Sequence, residues 1–149
     1  MSTVDLNAVR EFARRIRVHS LRMTNSGGGS HVGVCMEILE PGRQACPAHY
    51  HMLEEEHLLI LEGSLTLRLG DQTYAMAAGD YACFPAGQKA GHALVNEGER
   101  PCRYLIIGER NANDVIFYTE SGRVGVRLAG EGFRQSATMS YWEGIETQR

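Results

Sequence analysis

Short apolar runs bounded by turn-forming residues dominate the chain from residue 32 onward. Strands of this length, separated by glycine, proline, asparagine or aspartate, are typical of all-β sandwiches and barrels. The predicted strands cover residues 32–39, 58–61, 65–69, 73–76, 81–84, 92–96, 103–107 and 115–119. This pattern predicts an all-β fold.

Two of these runs also predict which side chains are buried. Leu65, Leu67 and Leu69 alternate with polar residues, so we expect the leucines on one face of a half-buried strand. Residues 58–61 are apolar without interruption, and we expect that strand to be buried on both faces.

The two ends of the chain differ from this central region. Apolar residues at helical spacing predict a short N-terminal helix at residues 3–16. Residues 132–149 are more polar, and we expect a tail that packs on the barrel through Phe133, Tyr141 and Trp142. We therefore expect a single domain over residues 1–149, with a barrel core at residues 32–119.

The composition narrows the classes of function. A hydrophobic content of 43%, a charged content of 22% and a net charge of −3 offer no basic surface for nucleic acid. The arginines between residues 10 and 17 are interpreted as the solvent side of the predicted helix rather than as a phosphate-binding arm. The sequence contains neither a signal peptide nor an apolar stretch of about 20 residues. We expect a cytoplasmic protein without nucleic-acid or membrane partners.

The four cysteines, Cys35, Cys46, Cys83 and Cys102, form no C-x-x-C pair. Reduced thiols are therefore expected. Cys83 can be a reactive thiol or a small buried hydrophobe, and the second interpretation is favoured.

Histidines and one glutamate form the pattern that carries chemistry. His49 and His51 are two positions apart, so both imidazoles point to the same face if they lie in a strand. Glu56 follows a bend at residues 52–55 and can turn back toward them if it opens the next strand. His92 begins a strand after the loop at residues 85–87 and adds a third imidazole from another hairpin.

These donors predict a metal site. Three imidazoles and one carboxylate suit one divalent transition-metal ion, namely Mn, Fe, Co, Ni, Cu or Zn. Four protein ligands leave coordination positions for water, substrate or dioxygen, as a catalytic site requires.

The spacing of these residues resembles the two-motif pattern of the cupin superfamily over about residues 32–108. The first motif comprises His49, His51, Glu56 and Gly63, and the second comprises Gly79, Pro85, Gly87, His92 and Asn96. The spacing departs from the family pattern only around Gly42 and Gly87, in loops. The resemblance implies a double-stranded β-helix, or jelly-roll barrel, whose interior holds the ion on His49, His51, Glu56 and His92. The sequence is also similar to small bacterial cupins that are labelled as candidate sugar-phosphate isomerases.

Several neighbouring residues are candidates for supporting roles. Asn96, Tyr81 and Cys83 are candidates for contacts around the metal ligands, although a structural hydrogen bond at a strand end is favoured for Asn96. Glu54 and Glu55 can act as a general acid or base, but solvated bend residues are favoured. His57 is expected to point away from the ion.

Two functions follow from this pattern. The first is a metal-dependent enzyme of isomerase, lyase or dioxygenase type that acts on a small oxygenated substrate. The alternative is a non-catalytic ligand-binding or sensor module that acts through a partner protein. A homodimer is expected in either case, because the strand edges of an open-ended barrel need covering.

Overall fold

The computed structural model describes residues 19–22, 28–140 and 143–144, which fold into twelve β-strands and one short 3-10 helix at Gln135–Ala137. The strands are β1 (His19–Arg22), β2 (Val32–Leu39), β3 (His49–His51), β4 (Glu56–Glu62), β5 (Ser64–Leu69), β6 (Gln72–Ala77), β7 (Tyr81–Phe84), β8 (His92–Val95), β9 (Cys102–Glu109), β10 (Val115–Tyr118), β11 (Arg123–Val126) and β12 (Glu131–Arg134).

The strands form two antiparallel sheets that enclose a common core. One sheet has the order β1-β2-β9-β4-β7, and the other has the order β12-β11-β10-β3-β8-β5-β6. Both sheets contribute to the buried cluster of Leu39, Leu58, Ile60, Leu65, Leu67, Met76, Phe84, Leu94, Cys102 and Tyr104. Burying one such large apolar side chain contributes about 1.5–3 kcal/mol. The all-β prediction is confirmed.

The strand bounds agree closely with the sequence pattern. The predicted strands at residues 32–39 and 81–84 are found unchanged, and the other six differ by one or two residues at one or both ends. The strands β1, β3, β11 and β12 were not among the predicted runs. Leu65 and Leu67 are buried in β5, as their alternation predicted.

The expectation for residues 58–61 is wrong. Leu58 and Ile60 are buried, whereas Leu61 is 39% exposed, so β4 buries one face only. The reason is that the core lies on one side of the five-stranded sheet, and the described residues do not cover the other side.

The ends of the chain are only partly described. The predicted helix at residues 3–16 lies outside the described residues, as do Tyr141 and Trp142. Phe133 is not packed in a tail but lies in β12 and is 49% exposed, because β11 and β12 continue the sheet beyond the predicted core. That residues 1–149 form a single domain stays a prediction. Among the described residues, no helix has the length and apolarity needed to cross a membrane.

Candidate metal centre

Three histidines meet on two neighbouring strands of the seven-stranded sheet. His49 and His51 share one face of β3, and His92, the first residue of β8, is the direct cross-strand partner of His49. The ring centroid of His49 lies 5.2 Å from that of His51 and 4.6 Å from that of His92. Alternation along one strand and register with the next therefore bring the three imidazoles together.

Glu56 approaches these histidines from the facing sheet, where it is the first residue of β4. Its Oε2 atom lies 3.1 Å from Nε2 of His92, 3.5 Å from Nε2 of His51 and 3.8 Å from Nε2 of His49. The four residues that the sequence predicts as ligands thus lie together inside the barrel, and ligand atoms of His49, His51 and Glu56 all lie within 4.8 Å of one another.

Hydrogen bonds on the other ring nitrogens determine how these histidines face Glu56. Nδ1 of His49 lies 3.0 Å from the carbonyl oxygen of Pro47, and Nδ1 of His51 lies 2.6 Å from Oδ2 of Asp114. A carbonyl and a carboxylate only accept hydrogen bonds, so each Nδ1 carries the proton and each Nε2 presents a lone pair. The lone pairs of His49 and His51 and the carboxylate of Glu56 thus face one another, an arrangement that a cation among them stabilises. This donor set fits a metal ion.

The protonation states also suit metal binding. Burial, followed by the neighbouring His92, lowers the pKa of His49 to about 4, so this imidazole is neutral near neutral pH. Burial raises the pKa of Glu56, but the His92 hydrogen bond and the adjacent imidazoles outweigh it and lower the pKa overall. Neutral imidazole and ionised carboxylate are the forms that coordinate metals.

A buried ionic network lies next to the Nδ1 atom of His51. The fully buried Asp114 also accepts a 2.9 Å hydrogen bond from the backbone N–H of Leu53. Arg127 donates from Nη2 to Oε2 of Glu54 at 2.9 Å and lies 3.8 Å from Asp114. Glu54 is only 4% exposed, so its interpretation as a solvated bend residue is wrong. The sequence carries no local signal for this network, because Glu54 and Arg127 are 73 positions apart.

The three residues predicted to flank the ligands lie elsewhere. Asn96 donates from Nδ2 to the carbonyls of Leu39 and Arg100, both at 2.8 Å, and accepts from the N–H of Gly98 at 3.0 Å. This is the favoured structural role at a strand end rather than a role beside the ion.

Tyr81 and Cys83 lie on the other side of the five-stranded sheet. Cys83 pairs with His57 in the β4–β7 register, and the Tyr81 hydroxyl lies 2.6 Å from Nδ1 of His57. Their placement beside the metal ligands is therefore corrected, because strand alternation turns them away from Glu56. The same alternation confirms that His57 points away from the cluster.

Comparison with known proteins agrees with this architecture. The cupin-domain family model matches residues 35–108. The crystal structure of a sugar phosphate isomerase of the cupin superfamily from Silicibacter pomeroyi is 30% identical, with a TM-score of 0.76 over 95% of this chain and 88% of that chain. The chain belongs to the cupin superfamily. The double-stranded β-helix that the sequence resemblance implied is therefore confirmed.

Two other relatives of this cupin are informative. The crystal structure of a suggested sugar phosphate isomerase from Acidithiobacillus ferrooxidans is 28% identical, with a TM-score of 0.78 over 83% of this chain and 80% of that chain. Quercetin 2,3-dioxygenase from Bacillus subtilis is 33% identical over 88 residues, which are 57% of this chain and 26% of that protein. The cupin therefore spans about a quarter of the length of this curated relative.

The surroundings of the cluster in this cupin are narrow and partly aromatic. Phe84 stacks on His92, with ring centroids 3.9 Å apart and an angle of 5° between the planes. Tyr50, Pro85 and Gln88 border the same cleft.

Proposed function

We propose that this cupin holds one divalent transition-metal ion on His49, His51, Glu56 and His92 and acts on a small oxygenated substrate there. The observation that carries the proposal is the convergence of three Nε2 atoms on Oε2 of Glu56, with the Nδ1 atoms of His49 and His51 already engaged by acceptors.

The donor set limits the choice of ion. Three imidazole nitrogens and one carboxylate oxygen suit Fe, Mn, Ni, Co, Cu or Zn, whereas Ca and Mg prefer oxygen ligands throughout. When bound, such an ion acts as a Lewis acid on a coordinated substrate oxygen. The protein's own part is to hold His49 and His51 in one tautomer through Pro47 and Asp114, and to pack the ring of Phe84 against His92.

We propose that the reaction is of the isomerase, lyase or dioxygenase type. The names of related proteins support it. Relatives of this chain are named as sugar phosphate isomerases and as quercetin 2,3-dioxygenase.

The test combines metal content with turnover. After chelation and reconstitution with each candidate ion, the protein is screened on small hydroxy acids, hydroxyketones and sugar phosphates. His51→Ala is expected to bind one metal equivalent fewer than the wild type and to lose turnover while keeping its far-UV circular dichroism. His31→Ala removes an exposed histidine and serves as the matched control.

Three results would contradict the proposal. Equal metal content in His51→Ala and the wild type would exclude the assigned ligands. Turnover that survives both chelation and His51→Ala would show that the ion has no part in the reaction. A fully loaded protein that turns over none of these substrates, but binds one of them, would instead support the non-catalytic alternative.

A further inference from the structure

A second group of metal-binding side chains lies on the side of the five-stranded sheet that faces away from the barrel interior. It consists of Glu55, His57 and Cys83, each of which offers one ligand atom within 4.8 Å of the others. His57 and Cys83 are direct cross-strand partners on β4 and β7, so their side chains share one face. Glu56, between Glu55 and His57 in the chain, points to the opposite face.

The backbone around this group is firmly held. Glu55 donates its backbone N–H to Oε2 of Glu109 at 3.0 Å, and its carbonyl accepts from the N–H of Glu109 at 3.1 Å. His57 and Cys83 belong to paired strands. The three side chains are therefore presented by rigid elements, which favours a preformed site.

The ring of His57 is oriented by its neighbours. Its Nδ1 atom lies 2.6 Å from the Tyr81 hydroxyl, and the two rings stack with centroids 5.9 Å apart. Its Nε2 atom lies 3.1 Å from Oε1 of Glu55. A metal-binding histidine commonly binds through one nitrogen while the other donates a hydrogen bond. Here Nδ1–H can donate to the Tyr81 oxygen, and Nε2 then faces the same space as the Glu55 carboxylate.

We propose that Glu55, His57 and Cys83 form a second cation site that binds a borderline divalent ion of the Zn(II) or Co(II) type. One thiolate, one imidazole and one carboxylate are ligands that such ions accept, and they leave a fourth position for water. The side chains of Glu55 and His57 are 44% and 30% exposed, so an ion can reach them from solvent. The site is separate from the cluster inside the barrel, because the two lie on opposite faces of the same sheet.

Sulfur ligation distinguishes the two sites experimentally. The proposed ligands inside the barrel include no sulfur, so a thiolate-to-cobalt charge-transfer band reports the outer site. Cys46 is the one thiol to control for, since its Sγ lies 3.6 Å from Nδ1 of His49. Burial, followed by the Glu56 carboxylate, raises the pKa of Cys46 to about 12, so this thiol is a poor source of thiolate.

The experiment titrates the reduced, metal-free protein with Co(II) and follows both the absorption band and bound metal per chain. The wild type is expected to bind two equivalents and to show the band. His51→Ala is expected to keep the band and to bind one equivalent. Cys83→Ser and His57→Ala are each expected to lose the band and one equivalent, whereas Cys46→Ser keeps the band.

The absorption band tests the outer site whether or not the barrel interior binds an ion. Absence of the band from the folded wild type, or its survival in both Cys83→Ser and His57→Ala, would overturn the outer site. Loss of the band in Cys46→Ser alone would place the sulfur ligand inside the barrel and would overturn it as well. Using two separate ligand variants, each checked by circular dichroism, guards against failure of one of them to fold.

Discussion

At the scale of single residues, the hydrogen bond at Nδ1 of His49 and of His51 determines which ring nitrogen is available to bind a metal ion. His49 and His51 present Nε2 to the same point because Pro47 and Asp114 accept from their Nδ1 atoms. The two acceptors differ in kind. A backbone carbonyl cannot be changed by mutation, whereas a carboxylate can, so Asp114 is the residue through which the support of His51 is testable.

Asp114→Asn is expected to weaken metal binding about 10–100-fold while leaving the protein folded. The introduced amide can donate to Nδ1 of His51, which moves the proton to Nε2 and blocks that atom as a ligand. The dissociation constant is measured by competition with a chelating indicator. Asp71→Asn, in an exposed turn, is the control and should bind as the wild type does. An unchanged dissociation constant in Asp114→Asn would contradict this role.

At the scale of elements, the candidate metal centre depends on three strands from two sheets. β3 and β8 supply the histidines from the seven-stranded sheet, and β4 supplies Glu56 from the five-stranded sheet. The same strand β4 presents His57 on its other face. One strand thus contributes to both proposed sites, because successive side chains alternate.

The turn that joins β4 to β5 requires glycine for two reasons. Gly63 has a φ of +79°, and a Cβ atom there would lie 2.7 Å from the carbonyl oxygen of Pro101. Gly79 also has a positive φ, +94°, but a Cβ atom there would meet nothing within 4 Å. The left-handed backbone alone costs a residue with a side chain about 1–2 kcal/mol.

Gly63→Ala is therefore expected to lower the free energy of unfolding by clearly more than Gly79→Ala, which bears the backbone cost alone. Denaturant unfolding of the metal-free protein measures both values. Equal losses in the two variants would show that the loop at Pro101 moves aside without cost.

At the scale of the whole molecule, the homodimer that the sequence suggests stays a prediction. β1 and β7 are the edge strands of the five-stranded sheet, and Val32 and Leu61 are exposed apolar residues of that sheet. Exposed apolar side chains and sheet edges favour association between copies. Size-exclusion chromatography with light scattering should give twice the mass of the chain, and a monomer mass at micromolar concentration would contradict the prediction.

The sequence by itself predicted eight of the twelve strands found in the described residues, the turns between them and the four candidate ligands. These follow from local rules, namely alternation along a strand, turn residues at strand ends, and short spacings such as His49 to His51. The family resemblance supported the same four residues independently of strand geometry.

Only the tertiary structure decided which residues contact those ligands and which other side chains come together elsewhere in the fold. Asp114 lies 63 positions from His51, and Arg127 lies 73 positions from Glu54, so no local pattern connects them. Likewise, the apolar run at residues 58–61 does not show that one of its faces is left uncovered. Burial, ion pairing and the grouping of Glu55, His57 and Cys83 depend on how two sheets pack and pair, which alternation within one strand does not specify.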